Sequence, residues 1–273
     1  MAKQQKKSTG KAKQLTVVRR KIKKASKQAT NFRALLYGRP GATKTRTLAT
    51  APDVLLIDVN EKGWDSIRRD LDVDVYVVEY WEEINDVFWY LQSGDHPYKS
   101  FGLDSMTAMQ NLCMKFVLGD EASRDASRDP DMPSRQVWGK VGELMKTQIT
   151  NYRNLPMNGI FTARQRNRQI GEEEDSDEFI IAPNLSPAIA DMMEGAVPII
   201  GHLSQREVRV KKKGQKKRVT TVRRRLLVGP SERYITKERY GVFESYVDAP
   251  NLAEMIEACY GVEPEVEPLD EEE

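Results

Sequence analysis

The residues with the most specific chemistry form the run LLYGRPGATKT at positions 35–45, a short apolar stretch that breaks into a glycine-containing loop ending in Lys-Thr. This pattern is typical of a phosphate-binding P-loop, whose backbone N–H groups turn inward around the phosphates of a nucleotide. In such a loop Lys44 reaches the β- and γ-phosphates, and the Thr45 hydroxyl ligates Mg²⁺. The residues predicted to bind the nucleotide are Gly38, Pro40, Gly41, Ala42, Thr43, Lys44, Thr45 and Arg46.

One position departs from the P-loop pattern, because Thr43 stands immediately before the lysine, where the pattern has glycine. A β-branched residue adds bulk at a point where the backbone must approach phosphate. We therefore expect nucleotide binding with weakened turnover. The alternative is an ordinary Gly/Pro turn between a strand and a helix.

A second carboxylate-bearing segment, YKSFGLDSMT at residues 98–107, reads as a buried strand that ends in Asp104. At the carboxyl edge of a parallel sheet this carboxylate lies next to the P-loop and can hold Mg²⁺, so Thr45 and Asp104 are the predicted metal ligands. The Asp-Ser-x-Thr ending resembles the Walker B segment of RecA-like ATPases. The alternative is that Asp104 only caps the following helix.

Between these two segments lies DVLLIDVNEKG at residues 53–63, which predicts another buried strand with acidic residues at its end. In RecA-like ATPases a glutamate at this strand end polarises the attacking water. The resemblance makes Glu61 the predicted general base, with Asp58 as the second choice. The alternative is that one of the two caps the helix that holds Trp64.

Composition indicates one substantial α/β core, because the chain has 273 residues and 39% apolar content. No apolar stretch approaches the roughly 18 residues that span a bilayer, and the N-terminus has no apolar signal core. The cysteines, Cys113 and Cys259, lack metal-site spacing, which favours reduced core residues in a cytoplasmic protein, the host cytoplasm if a phage encodes it. The histidines, His96 and His202, are interpreted as structural.

Charge is segregated along the chain although the net charge is only +2. Residues 1–30 contain eleven Lys/Arg and no acidic residue, residues 206–225 contain eleven Lys/Arg and one acidic residue, and residues 262–273 contain seven Asp/Glu and no basic residue. Such blocks indicate tails and interaction surfaces. The predicted organisation is a basic N-terminal arm over residues 1–30, a core over 31–259 and an acidic tail over 260–273.

Strand and helix patterns alternate through the core, which predicts an α/β fold with a mainly parallel central sheet flanked by helices. Residues 75–79 read as a strand, and helical spacing follows in residues 84–91, 109–116 and 138–152. Residues 119–135 are predicted to form a polar surface loop, and the acidic stretch 172–178 another loop.

The basic block at about residues 206–225 predicts a late β-hairpin, since valines alternate on both sides of a KKGQKK tip. A cationic hairpin is suited to clamp a nucleic-acid backbone, although a solvated edge ribbon is the alternative. In P-loop ATPases the end of the strand at 159–165 faces the γ-phosphate, so Thr162, Arg164 or Gln165 is predicted to sense the state of the nucleotide. The alternative is an ordinary strand-to-loop transition. The predicted nucleic-acid contacts are Arg164, Arg166, Arg168, Arg209, Lys211, Lys212, Lys213, Lys216, Lys217 and Arg218.

The last motif is the segment YITKERYG at residues 234–241. Its Lys-x-Arg-aromatic-Gly spacing resembles the Lys-Asn-Arg-Phe-Gly motif of bacterial RadA and the Lys-x-Arg element of DnaB-type hexameric helicases. In those families the two cations reach into the ATP site of the neighbouring subunit. The resemblance implies that Lys237 and Arg239 assist catalysis there, together with Lys44 and Glu61, in a homo-oligomer. The alternative is a strand with two exposed cations.

These motifs together resemble the phage RecA-like single-strand annealing proteins over residues 31–259. The resemblance implies a RecA-like P-loop core that uses ATP and Mg²⁺, binds single-stranded DNA, and promotes annealing or strand exchange as a ring or filament. It also implies cooperation with a phage single-strand-binding protein and no membrane partner. Two other functions remain open: a helicase-like or loader ATPase, and a DNA-binding scaffold whose P-loop hardly turns over.

Overall fold

The computed structural model describes Ile22, Lys24 and residues 31–124, 133–169, 179–210 and 219–260, with backbone only at positions 122, 124, 209, 210 and 219. Its contacts divide the chain into two units, Met1–Asn31 and Phe32–Glu273. Most of the basic arm, the acidic stretch 172–178, the hairpin tip 211–218 and nearly all of the acidic tail lie outside the described residues.

The core of the second unit is a sheet whose six central strands are all parallel to their neighbours, in the order β7-β1-β5-β4-β2-β3. These strands are β1 (Arg33–Gly38), β2 (Val54–Asp58), β3 (Asp74–Val77), β4 (Ser100–Asp104), β5 (Asn158–Gln169) and β7 (Ile199–Val210). β1, β2 and β4 are buried along their whole length, as continuous apolar runs in a covered parallel sheet require. The predicted α/β class with a mainly parallel sheet is confirmed.

Four further strands pair antiparallel with this sheet. β6 (Phe179–Pro183) returns along β5, and β8 (Val219–Leu227) returns along β7. The short β9 (Lys237–Glu238) pairs with β7, and β10 (Tyr246–Asp248) pairs with β8. Two antiparallel ribbons, β5–β6 and β7–β8, therefore continue beyond the carboxyl ends of the central strands.

Helices cover both faces of the sheet and bury two apolar cores. The helices are α1 (Lys44–Leu48), α2 (Trp81–Ser93), α3 (Met106–Arg124), α4 (Arg135–Asn154), α5 (Pro187–Ala196) and α6 (Leu252–Tyr260), with a 3₁₀ turn at Gly63–Ser66. Alternate residues of β1 serve the two cores: Leu35 and Tyr37 pack with α2 to α5, whereas Leu36 packs with α1 and α6. In the described part of the chain, no helix combines the length and the apolar character that a membrane span needs.

Two boundaries differ from the sequence predictions. α3 continues through the first residues of the predicted 119–135 loop. This part of the chain is packed against α4, since Glu121 is buried and its Oε1 accepts a hydrogen bond from Lys140 Nζ at 2.7 Å. The hairpin predicted at about 206–225 is longer, since its ladder runs back to the His202–Leu227 pair beside the central sheet. The apolar residues at the base of this ribbon belong to the core, which is why the alternation rule recognised only its exposed end.

Candidate functional site

The P-loop lies between the end of β1 at Gly38 and the start of α1 at Lys44. A Cβ added to Gly38 would overlap the carbonyl oxygen of Leu203 on β7, so only glycine fits where β1 and β7 come together. Lys44 Nζ donates to the carbonyl oxygens of Gly38 and Arg39, both at 3.1 Å. Burial lowers the pKa of Lys44, while the charges of Asp104 and Glu61 raise it. The ammonium group is thus held inside the loop, next to the carboxylates.

Thr43 adopts the left-handed backbone conformation, with φ 62° and ψ 31°. Glycine reaches this region freely, whereas a β-branched residue there is an outlier that costs about 1–2 kcal/mol. The Thr43 hydroxyl is also buried without a hydrogen-bond partner in the described part of the chain. The departure from the P-loop pattern is therefore a local destabilisation, which agrees with the preference of the pattern for glycine.

Replacing Thr43 with glycine is expected to stabilise the protein by about 0.5–1 kcal/mol, because the relief of left-handed strain exceeds the entropy that glycine adds to the unfolded chain. Thr43→Ala is the matched control, since it removes the hydroxyl and keeps the strained Cβ. Thermal denaturation of the three proteins measures the effect. A glycine variant no more stable than the alanine variant would show that the backbone at this position is not strained.

A buried carboxylate cluster lies next to the P-loop, where β4, α1 and β5 meet. Thr45 Oγ1 donates to Asp104 Oδ2 at 2.5 Å, and Thr162 Oγ1 donates to Asp104 Oδ1. Burial raises the pKa of Asp104, although the two hydroxyl donors and Lys44 counter this shift. The structure thus brings the two predicted metal ligands into contact, and it adds Thr162 as the residue that orients Asp104.

Gly63 is a member of this cluster that the sequence motifs did not identify. A Cβ added there would lie 2.9 Å from both Asp104 Oδ2 and Thr45 Oγ1, so the glycine keeps space open beside the two oxygens. One hydroxyl and one carboxylate are the hard oxygen donors that Mg²⁺ takes when phosphates and water supply its other ligands. The residues present therefore fit a nucleotide-bound Mg²⁺ ion.

Asp58, at the end of β2, shapes the turn that carries the predicted base. It is fully buried, and it accepts the backbone N–H groups of Glu61 at 2.8 Å, Lys62 at 3.0 Å and Gly63 at 2.6 Å. These bonds occupy both carboxylate oxygens. Asp58 is thus the acidic residue that caps the element holding Trp64, as the alternative had it. That element is the 3₁₀ turn at Gly63–Ser66 and not an α-helix.

Glu61 is held by donors from two neighbouring strand ends. Its Oε2 accepts the hydroxyl of Ser105 at 2.6 Å, and its Oε1 forms an ion pair with Arg164 Nη2. Ser105 follows β4 and is fully buried, whereas Arg164 lies on β5 with about half of its side chain exposed. The predicted base is therefore placed beside Asp104, and its carboxylate is engaged by an arginine that solvent can reach.

The three predicted nucleotide sensors at the end of β5 contact three different groups. Thr162 bonds Asp104, Arg164 bonds Glu61, and Gln165 bonds His202. Because side chains alternate along a strand, Arg166 and Arg168 share the face of Thr162 and Arg164. This face of the β5–β6 ribbon thus carries a row of arginines that begins at the carboxylate cluster.

The β7–β8 ribbon is cationic in its described part as well. Arg206 and Arg223 are directly opposite in the ladder, both are exposed, and neither has an ion-pair partner among the described residues. Opposed like charges destabilise a strand pair, so fold stability does not explain why two arginines face each other here. Of the predicted contacts on this ribbon, Arg209 is described by its backbone alone, and Lys211, Lys212, Lys213, Lys216, Lys217 and Arg218 lie outside the described residues.

Lys237 and Arg239, the two cations predicted to reach a neighbouring subunit, differ in their burial and contacts. Lys237 is partly buried on β9, and its Nζ donates to the carbonyl oxygens of Val197, at 2.7 Å, and Glu194. Burial lowers the pKa of Lys237, and the charge of Arg239 adds to this shift. Arg239 is exposed. Within the described residues, neither cation takes part in the hydrogen bonds of the P-loop and its carboxylates, so their action on a neighbouring subunit stays a prediction.

Comparison with protein families gives a match over residues 30–240, which is more than half of the chain, to the family model described as AAA domain. The matched region begins just before β1 and ends after β9, so it contains the P-loop, both acidic strand ends and the two arginine-bearing ribbons. A search of curated proteins gave no match.

Proposed function

Since the chain belongs to the AAA domain family of P-loop ATPases, we propose that it couples ATP hydrolysis to the binding of single-stranded DNA, and that it promotes annealing or strand exchange as an oligomer. The observation that carries this proposal is the ion pair between Glu61 and Arg164. It joins the predicted general base to the first arginine of a cationic ribbon. The pair thereby connects the candidate nucleotide site to the proposed nucleic-acid surface.

The residues of the site divide the chemistry among them. The P-loop backbone and Lys44 would hold the phosphates, and Thr45 with Asp104 would hold Mg²⁺, which when bound would neutralise charge on the transferred phosphoryl group. Thr162 fixes the orientation of Asp104. Glu61 accepts the proton of the attacking water, provided that its carboxylate is released from Arg164.

DNA supplies a physical reason for that release. Phosphate oxygens compete with carboxylates for guanidinium groups, and Arg166 and Arg168 continue the row that Arg164 begins. A strand bound along this row draws Arg164 toward its phosphates and leaves Glu61 free to act on water. Hydrolysis is then slow without DNA and faster with it.

Replacing Arg164 with alanine is expected to raise ATP turnover in the absence of DNA several-fold, and to reduce the stimulation by single-stranded DNA toward none. The reason is that Glu61 loses the ion pair that holds it. Arg168→Ala is the matched control: it removes a cation from the same ribbon face without touching Glu61, so it weakens DNA binding while turnover without DNA stays at the wild-type rate. Loss of all turnover in Arg164→Ala would instead assign Arg164 to transition-state stabilisation and refute its role as a restraint.

The oligomeric part of the proposal rests on Arg239, which is exposed and has no described ion-pair partner. An exposed arginine that is supplied by a neighbouring subunit can neutralise the phosphoryl group, an effect worth several orders of magnitude in rate in other ATPases. A phage single-strand-binding protein is the proposed partner on the DNA. Mixing Lys44→Ala and Arg239→Ala proteins tests the arrangement, because only shared sites recover activity in the mixture.

A DNA-binding scaffold with little turnover is the second function to consider, and the strain at Thr43 favours it. Such a protein anneals complementary strands equally well with and without ATP. A helicase-like motor differs from both, since it unwinds a forked duplex in one direction. Annealing and unwinding assays with labelled oligonucleotides therefore separate the three functions.

A further inference from the structure

A cavity of about 490 Å³ lies beside the P-loop, above the carboxyl ends of β1, β5 and β7. Arg39 of the P-loop, Gln165 of β5, Gln205 of β7 and Tyr234 are among the residues that line it. Pro40, Gly41 and Ala42 of the P-loop also line it, whereas Asp104 and Glu61 do not, so the cavity adjoins the phosphate-binding loop and excludes the carboxylate cluster. It adjoins the roots of both cationic ribbons, and its volume falls in the range of small-ligand sites.

An aromatic column forms one wall of the cavity. The rings of Tyr37 and His202 are 5.2 Å apart, and those of His202 and Tyr234 are 4.3 Å apart with an angle of 31° between their planes. Tyr37 is fully buried, whereas Tyr234 is the half-buried end that lines the cavity. Burial lowers the pKa of His202 to about 4, so its ring is neutral at pH 7. The column therefore presents a neutral aromatic surface on which a planar group can stack.

The polar side chains of the cavity supply one unused donor and one unused acceptor. His202 Nε2 lies 3.0 Å from Gln165 Oε1, which accepts a hydrogen bond from the ring N–H and leaves the Gln165 Nε2 amide without a partner among the described residues. Gln205 Nε2 donates to the carbonyl oxygen of Gly41 at 3.0 Å, which leaves Gln205 Oε1 as an unused acceptor. A donor and an acceptor beside an aromatic surface match the edge of a heterocyclic base.

We propose that this cavity binds a nucleobase, which stacks on Tyr234 and is read by Gln165 and Gln205. Arg39 is exposed and without an ion-pair partner in the described part of the chain, so it can hold the phosphate attached to that base. The proposal rests on the proposed function, and it adds a base-binding subsite to it. The position at the roots of both ribbons makes a base of the bound strand the favoured source, and the base of ATP is the other source of the same chemistry.

The test compares ligands that differ only in their bases. Fluorescence anisotropy measures the affinity of the full chain for an oligothymidine strand and for an abasic strand of equal length and charge. A parallel competition assay compares ATP with inorganic tripolyphosphate. Wild-type protein is expected to bind the base-containing member of one pair about tenfold more tightly, the effect typical of stacking one base on an aromatic side chain.

Tyr234→Leu is expected to remove that preference while the affinity for the base-free ligand stays the same. Tyr76→Leu, at an exposed tyrosine of β3 outside the cavity, is the control that keeps the preference. Gln165→Glu is a nearly isosteric second variant, which converts the unused donor to an acceptor and is expected to weaken the same preference if Tyr234→Leu does not fold.

The pair of ligands that responds identifies the source of the base. Loss of preference for thymidine over abasic strand assigns the cavity to DNA, and loss of preference for ATP over tripolyphosphate assigns it to the bound nucleotide. The proposal would be overturned if the wild-type protein bound the base-containing and base-free ligands of both pairs with equal affinity. It would also be overturned if the variants kept the wild-type preference for the base-containing ligand. Failure to bind either strand would count against the proposed DNA function, and the nucleotide arm would still decide whether the cavity holds a base.

Discussion

Glu61→Gln is expected to lower ATP turnover by about two to four orders of magnitude and to leave the affinity for ATP with Mg²⁺ within a few-fold of wild type. Glutamine keeps the size of the side chain and can still accept the hydroxyl of Ser105, which donates at 2.6 Å in the native protein. It cannot take a proton from water at neutral pH. The loss therefore falls on the chemical step and not on binding.

Steady-state turnover and the binding of a fluorescent ATP analogue measure the two halves of this expectation. Glu79→Gln is the matched control, because Glu79 is an exposed carboxylate at the end of β3, and its neutralisation changes the net charge by the same amount. Turnover that persists in Glu61→Gln at the wild-type rate would contradict the assignment of Glu61 as the general base.

Gly38→Ala is expected to destabilise the fold by about 1–3 kcal/mol, because the added methyl group overlaps the backbone carbonyl of Leu203 and lies 3.2 Å from the Cβ of Ala42. Backbone on a neighbouring buried strand cannot move aside as a flexible side chain does. The strain also displaces the carbonyl oxygen of Gly38, which accepts Lys44 Nζ. We therefore expect loss of nucleotide affinity along with stability.

Thermal denaturation checks this expectation, since a change of this size lowers the Tm by about 3–10 °C in a protein of this length. Gly139→Ala on α4 is the control: a Cβ there meets nothing within 4 Å, and alanine favours the helix by about 0.5–1 kcal/mol. An unchanged Tm in Gly38→Ala would show that β1 and β7 are not as closely packed as the structure has them.

The local parts of the fold could be predicted from sequence because each depends on a short pattern. The apolar run before Gly38 is a buried strand, and the acidic residues that end β2 and β4 lie at one edge of a parallel sheet. The residue pair Asp58 and Asp104 even lies side by side in the ladder between these strands. A short pattern of this kind indicates both the type of element and the end at which its polar residues lie. These features could therefore be predicted without knowing which distant residues are in contact.

The contacts that join the site to the ribbon could not be predicted in the same way. β5 follows β4 in the chain but inserts between β1 and β4 in the sheet, and this order places Arg164 against Glu61. The two residues are separated by about a hundred positions, so the sequence indicated a role for each of them but not that they pair with each other. Gly63 was missed for a similar reason, since its function depends on the oxygens that surround it and not on its own turn.

The position of Thr43 and the ion pair of Glu61 lead to a common expectation about rate. One strains the loop that must surround the phosphates, and the other occupies the carboxylate that must act on water. Both favour slow hydrolysis until a ligand alters the site. We propose that this ligand is a nucleic-acid strand bound along the arginine row.

ATP turnover by the purified protein, measured with and without single-stranded DNA beside a Lys44→Ala control, tests this account most directly. We predict slow turnover without DNA, a clear rise when DNA is added, and no turnover in the variant under either condition. Binding of DNA without any turnover, unchanged in Lys44→Ala, would contradict the account and identify the protein as an electrostatic scaffold for annealing.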